Sequence, residues 1–239
     1  MTAGHDASSE ARALYRAGAD QADFDFARGV PAILAADNAE CVFLAGRDWR
    51  EFDFARGLDR LIALGSAEFI HKAGIFWKRF DYARGCRALF DLADPEYVYR
   101  AGRFWREFDH AGAIALFSAL GLPRYLYYAG KEWKRFDYEK GFDALVALGS
   151  AEFIFYAGAH WPVFDYREGF ERLLRAREAE FIYKAGTLWR EFDFARAWAV
   201  LETLVIEGAE WRGRAFTHPR WRDALRRIWR DAAAQFDFS

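Results

Sequence analysis

At 239 residues, with 53% hydrophobic and 29% charged side chains, the chain holds material for a large core beneath a charged surface. Its 34 basic and 36 acidic side chains leave a net charge of −2, which argues against a general polyanion binder, because neutralising phosphates takes an excess of Lys and Arg. No stretch approaches ~18 consecutive apolar residues, and the polar lead at 1–10 lacks a signal-peptide core, so a cytoplasmic protein without a membrane span is expected.

One period governs the chain. Ala45-Gly46-Arg47-Asp48-Trp49-Arg50-Glu51-Phe52-Asp53 is the first full copy of an Ala-Gly-x-x-Trp-x-x-Phe-Asp stretch. Its glycine returns every 28 residues, at Gly18, Gly46, Gly74, Gly102, Gly130, Gly158 and Gly186. The tryptophan (Trp49 to Trp189) and the aspartate (Asp25 to Asp193) keep the same step. Seven units without an insertion predict an array in which each unit buries its apolar face against its neighbours. The repeat also accounts for most of the 19% aromatic content.

Residues 1–10 read as a disordered lead. The unit at 11–37 is degenerate, with Gln21 where tryptophan belongs and Pro31 inside the second helix, as expected of an end repeat with one face in water. In the interior units Asn38, Ser66, Asp94 and Ser150 each precede Ala or Pro and then glutamate. That pattern opens a helix: an oxygen for a free backbone N–H, then a carboxylate at the positive end of the dipole. Ile70, Ala73, Gly74, Trp77 and Phe80 follow at helical spacing, which predicts a first helix of about 13 residues, roughly 20 Å long.

The aspartate ends that helix and caps the next. Asp81 is placed to accept from the N–H of Ala83 or Arg84, and Tyr82, Gly85, Cys86, Leu89 and Leu92 form the second helix's apolar stripe. Gly65, Gly121 and Gly149 stand where a helix end needs a left-handed residue. Glycines inside the helices cost about 1 kcal/mol each against alanine. Their recurrence implies close approach of backbones, with large aromatics of neighbouring units over the gaps, so the tryptophan is an inter-repeat packing residue.

Three units depart from the pattern. His110, Gly112 and Ala113 loosen the start of a second helix, and Pro162 ends or bends a first helix near His160 and Trp161, marking a candidate local pocket. Trp198, Glu202 and Val205 break the register of the seventh unit, whose second helix is expected to run to Glu207. Residues 208–239 leave the period and read as an arginine-rich capping helix that starts at Thr217-His218-Pro219. Trp221, Leu225, Ile228, Trp229 and Ala232 form its stripe, and Phe236-Asp237-Phe238 echoes the repeat's corner. The expected fold is all-α: an αα-hairpin repeat solenoid of about seven 28-residue units over 11–207, between degenerate N- and C-terminal caps.

The segment Gly-x-x-Trp-x-x-Phe-Asp-Tyr-x-x-Gly-x-x-Ala-Leu, from Gly130 to Leu145, resembles the tetratricopeptide repeat. The likeness extends unit by unit over 11–207, in a period of 28 where that family has about 34. It implies a right-handed solenoid that serves as a protein-interaction scaffold, and it brings no catalytic residues.

A repeat multiplies like residues, whereas a catalytic site needs unlike ones converging once. The seven aspartates therefore read as caps, and His5, His71, His110, His160 and His218 share no metal-ligand spacing. Cys41 and Cys86 replace apolar residues and read as buried thiols. No enzyme activity, cofactor or metal is expected. The reading is a non-enzymatic scaffold that binds a protein or peptide through a concave helix surface. Its candidate contacts change chemistry from unit to unit beside the tryptophan row: Arg47, Asp48, Phe76, Phe104, Lys131, Glu132, His160 and Leu188. Arg222 and Arg226 on the cap helix join them, since Trp and Arg are favoured at binding hot spots. The second reading is nucleic-acid binding along a basic row (Arg50, Lys78, Arg106, Lys134, Arg190) beside an aromatic row (Tyr15, Phe43, His71, Tyr99, Tyr127, Phe155, Tyr183). Helix-dipole compensation, with pairing to the aspartate three residues on, accounts for the same basic row without a ligand.

Overall fold

The computed structural model describes residues 3–204 and 207–236, with side chains for 8–204 and 208–231. Among the described residues it is all-α, a succession of αα-hairpins with no strand. The first helices of the repeats are α1 (Ala3–Asp20), α3 (Ala39–Asp48), α5 (Ala67–Phe76), α7 (Pro95–Phe104), α9 (Pro123–Glu132), α11 (Ala151–His160) and α13 (Ala179–Leu188). The second helices are α2 (Phe26–Ala35), α4 (Phe54–Ala63), α6 (Tyr82–Leu92), α8 (His110–Ala119), α10 (Tyr138–Ala147), α12 (Tyr166–Ala176) and α14 (Phe194–Thr203). Two further helices, α15 (Glu207–Thr217) and α16 (Pro219–Phe236), follow them. The chain falls into two compact units, Met1–Leu116 and Phe117–Ser239.

Local chemistry sets the helix starts. All seven repeated aspartates, Asp25 to Asp193, accept from the backbone N–H three residues on at 2.9 to 3.2 Å. For Asp81 the donor is Arg84. Asn38 and Asp94 cap first helices in the same way. Ser66 and Ser150 do not, so α5 and α11 start without a side-chain cap. Gly65, Gly121 and Gly149 are left-handed at the ends of second helices, and Ala93 and Arg177 hold the same conformation at the same register.

The first helices are shorter than their apolar spacing predicts. Each interior one has 10 residues and stops just before the tryptophan, whose backbone is extended (φ −72°, ψ 139° at Trp49). That break swings the indole off its own helix and into the preceding repeat. Pro162 follows the break, where no helical bond is lost, so α11 ends in the same place as its neighbours. Helix α8 starts normally on Asp109, despite its histidine and glycine.

Other departures lie at the ends. Residues 3–10 are helical, not a disordered lead, because α1 lies along α3, with Asn38 Nδ2 donating to Ser8 Oγ at 3.2 Å and Ala11 buried. Helix α14 stops at Thr203, short of Glu207, and the cap is a helical hairpin where one helix was expected. Val205 and Asp237-Phe238 lie outside the described residues.

The tryptophan joint holds successive repeats together. Trp49, Trp77, Trp105, Trp161 and Trp189 donate their indole N–H to the carbonyls of Tyr15, Phe43, His71, Tyr127 and Phe155, each at 3.0 Å. Each ring covers the glycine of that earlier repeat (Gly18, Gly46, Gly74, Gly130, Gly158), where an added Cβ would come within 3.0 Å of the indole. The corner of that earlier repeat closes on it too: Phe136 and Tyr138 stand edge-on to Trp161 at 5.2 and 5.7 Å. The second glycine makes room for this corner, as Gly141 does for Phe136. Both glycines thus house aromatic rings, and backbones need not touch.

The C-terminal hairpin copies this joint. Trp221 donates to Tyr183 O at 3.0 Å and covers Gly186, although it follows Trp189 by 32 residues (221 − 189) and sits within a second helix. Trp198 occupies a position that Leu58, Cys86, Phe142 and Phe170 fill in other repeats. It is buried against Phe216 (5.5 Å) and Trp229 (6.3 Å), so the register change in the seventh unit serves the cap.

Within each unit the first helices of successive repeats pack along one another, while second helices of successive repeats meet far less. Within each unit the first helices thus form one packed layer, and clefts open between the second helices on the other side.

Candidate functional site

The residue that ends a first helix precedes the indole by one position, and in four repeats (Asp48, Phe76, Phe104 and His160) it lies against a ring of the preceding repeat. Asp48 accepts from the Tyr15 hydroxyl at 2.5 Å and pairs with Arg47 at 2.7 Å. Phe76 meets Phe43 edge-on at 6.2 Å, Phe104 meets His71 at 6.4 Å, and His160 Nδ1 lies 3.0 Å from the Tyr127 hydroxyl. Much of the variation along this row is therefore internal matching: a polar end residue over tyrosine, phenylalanine over an aromatic without a hydroxyl. The Arg47 guanidinium holds the Asp48 carboxyl below its ordinary range, and burial, then Asp48, pushes the Tyr15 hydroxyl up.

Matching leaves part of the row uncovered. Phe76 and Phe104 remain 56% and 54% exposed at one register of the adjacent helices α5 and α7, with Ile75 beside them at 39%. Arg47 and Asp48, one repeat earlier, belong to the same unit. Lys131 and Glu132 end α9, His160 ends α11, and the exposed Leu188 ends α13, all in the other unit. Arg222 and Arg226 are exposed on α16, Arg222 lying 3.5 Å from Asp223.

His71 is the one buried polar side chain among the described residues. It stacks on Trp105, and loss of solvation, helped by the Arg100 charge, lowers its pKa to about 4. It is a neutral packing group at pH 7. Cys41 and Cys86 are free and buried, and burial pushes both thiols up. The basic row lies just past the helix ends. Arg50 covers Phe26 (5.1 Å) and pairs with Glu51, not Asp53, and Arg106 Nε donates to the Tyr82 hydroxyl at 3.2 Å.

The clefts on the opposite side escaped sequence reasoning. One of ≈ 440 Å³ is lined by Phe54, Leu58, Arg79, Phe80, Asp81 and Arg84 among others. A second, ≈ 460 Å³, opens between α6 and the Phe108-Asp109 corner, and a third, ≈ 160 Å³, between α12 and Phe192-Asp193. A fourth, ≈ 360 Å³, is lined by Tyr138, Glu139, Phe142 and Asp143 of α10 and by Val163, Phe164, Asp165 and Glu168. An ion pair spans two of the four: Arg84 to Asp59, and Arg196 to Glu171 (2.6 Å). The only signal in the sequence is an acid–arginine separation of 25 residues, which acquires meaning once neighbouring second helices are known to align.

Fold and joint together define an αα-hairpin repeat protein. Comparison with protein-family models, with curated proteins and with solved structures gives no match. Among the described residues no helix is long and apolar enough to cross a membrane, and no group of three or more His, Cys, Asp or Glu is placed to hold a metal ion.

Proposed function

We propose that the chain is a non-enzymatic, tetratricopeptide-like scaffold that binds a protein or peptide partner through its first-helix layer. The observation that carries this reading is the aligned pair Phe76 and Phe104, each more than half exposed on neighbouring repeats. Contiguous exposed apolar surface rimmed by charge marks interaction sites, and rigid aromatics supply contact area at low entropic cost. Arg47 and Arg103 flank the pair, with their guanidinium groups over Phe43 (5.7 Å) and Phe104 (5.2 Å). Nucleic-acid binding is disfavoured, because Phe43, His71, Tyr127 and Phe155 of the aromatic row are buried and Arg106 is held on Tyr82.

The test is to identify partners by crosslinking and mass spectrometry, then titrate the purified partner against wild type and the double variant Phe76→Glu/Phe104→Glu. The register already carries Asp48 and Glu132, so the fold accepts an acid there. A loss of affinity of about tenfold or more is expected, as for truncation of a hot-spot aromatic. Unchanged affinity overturns the reading.

A further inference from the structure

Four like clefts open between successive second helices, and their charges differ. The α4 cleft carries Asp53, Arg79, Asp81 and Arg84; the α6 cleft Arg87, Glu107 and Asp109; the α12 cleft Arg167, Glu171, Glu191 and Asp193. The α10 cleft carries Glu139, Asp143, Asp165 and Glu168 with no cation in its lining. Its mouth is also the apolar one. Val163, 60% exposed, stands where the other repeats have Glu51, Arg79, Glu107, Arg135 or Glu191.

The difference is sharpest at the position where other joints are bridged. An acid late on one second helix meets an arginine early on the next: Asp59 with Arg84, Glu171 with Arg196. The same register across the α10 cleft holds Asp143 and Glu168, two carboxylates. Glu168 is answered by Arg172 of its own helix at 2.6 Å, and one Asp165 oxygen accepts the Glu168 N–H. Lys140 beside the cleft is engaged with Asp137 at 3.0 Å. The α10 joint therefore lacks the ion pair between second helices that bridges the other two.

We propose that the α10 cleft binds an arginine side chain of a partner segment, its guanidinium taking the place that Arg84 and Arg196 hold in the bridged joints. Asp143 and Glu139 accept from the guanidinium, whose fork suits carboxylates. Its methylene stem, or an apolar neighbour in the peptide, lies on Val163, Phe164 and Phe142. The inference rests on the scaffold reading for the class of partner, not for the surface used.

The experiment is selection from a peptide library with one fixed arginine and randomised flanks, followed by fluorescence anisotropy on the full chain. Selected peptides are expected to carry an apolar residue beside the arginine, and replacing that arginine by neutral citrulline should weaken binding at least tenfold. Glu168→Arg rebuilds the bridge found in two other joints, and Val163→Arg installs the residue present as Arg79 and Arg135. Each should abolish binding, with helicity unchanged by circular dichroism. The inference is overturned if no arginine peptide is selected, if citrulline peptides bind equally, or if either variant binds as wild type does. Peptides lost only with Phe76→Glu/Phe104→Glu would sink the cleft and leave the first-helix reading standing. Peptides lost with Glu168→Arg and untouched by the phenylalanine pair would support the cleft instead.

Discussion

Glycine to alanine should act with opposite sign at two helical positions in the second unit. In Gly213, inside α15, an added Cβ meets nothing within 4 Å. Alanine there keeps the helical backbone and removes unfolded-state freedom, so Gly213→Ala should stabilise by about 0.5–1 kcal/mol. At Gly130 the same methyl lands within 3.0 Å of the Trp161 indole, which is 4% exposed and closed in by Phe136 and Tyr138. The ring has to shift, at roughly 1–3 kcal/mol for overpacking. Its N–H then loses Tyr127 O, bonded at 3.0 Å, at about 1–3 kcal/mol for a buried unmet donor. Against a propensity gain of about 1 kcal/mol, Gly130→Ala should destabilise by about 3 kcal/mol. Urea unfolding followed by circular dichroism reads both values, with the m-value as a check that the unfolding reaction is the same. A neutral or stabilised Gly130→Ala would refute the account of the joint, whatever Gly213→Ala does.

Three further outcomes follow from particular residues. His71 has a pKa lowered from 6.5 to about 4 in the fold, so the unfolded chain takes up the proton first as pH drops. Stability should then fall between pH 7 and 5 by about 2 kcal/mol, and His71→Phe, matching Phe43 and Phe155, should flatten that part of the urea-midpoint profile. Ala93 is left-handed at φ 49°, which costs an L-residue about 1–2 kcal/mol. Ala93→Gly should raise stability by about 0.5–1 kcal/mol after the entropy of glycine is counted, and a lower melting temperature would contradict it. Trp221, fully buried in the last joint, should cost about 3–5 kcal/mol when cut to alanine. Hydrogen exchange should show lost protection in α13 and α16 while α9 stays protected.

The unbroken period, the hairpin repeat and the aspartate caps were legible in the sequence alone, because each rests on local chemistry. An N-cap is decided within three residues, as Asp81 and Arg84 show, and a period is a property of the letters themselves. The role of tryptophan between repeats was also legible, since glycine tolerated inside seven helices demands an occupant for the space. Helix length was not. Ile70, Ala73, Trp77 and Phe80 keep helical spacing, yet α5 stops at Phe76, because the carbonyl and glycine that hold Trp77 belong to the preceding repeat. The cap as an eighth hairpin was hidden for the same reason: Trp221 is out of period and is identified by its bond to Tyr183 O. Of the candidate residues, the row before the tryptophans could be found by its variability. That Asp48 answers Tyr15 while Phe76 stays half in water depended on which rings the neighbour presents. The unbridged carboxylates of the α10 cleft lay deepest, since Asp143 and Glu168 share a joint only when the second helices of adjacent repeats stand side by side. The aspartate caps were written in the sequence, the serine caps expected at Ser66 and Ser150 did not form, and contacts between repeats were decided by tertiary packing, which sets residues about 25 to 34 apart against one another.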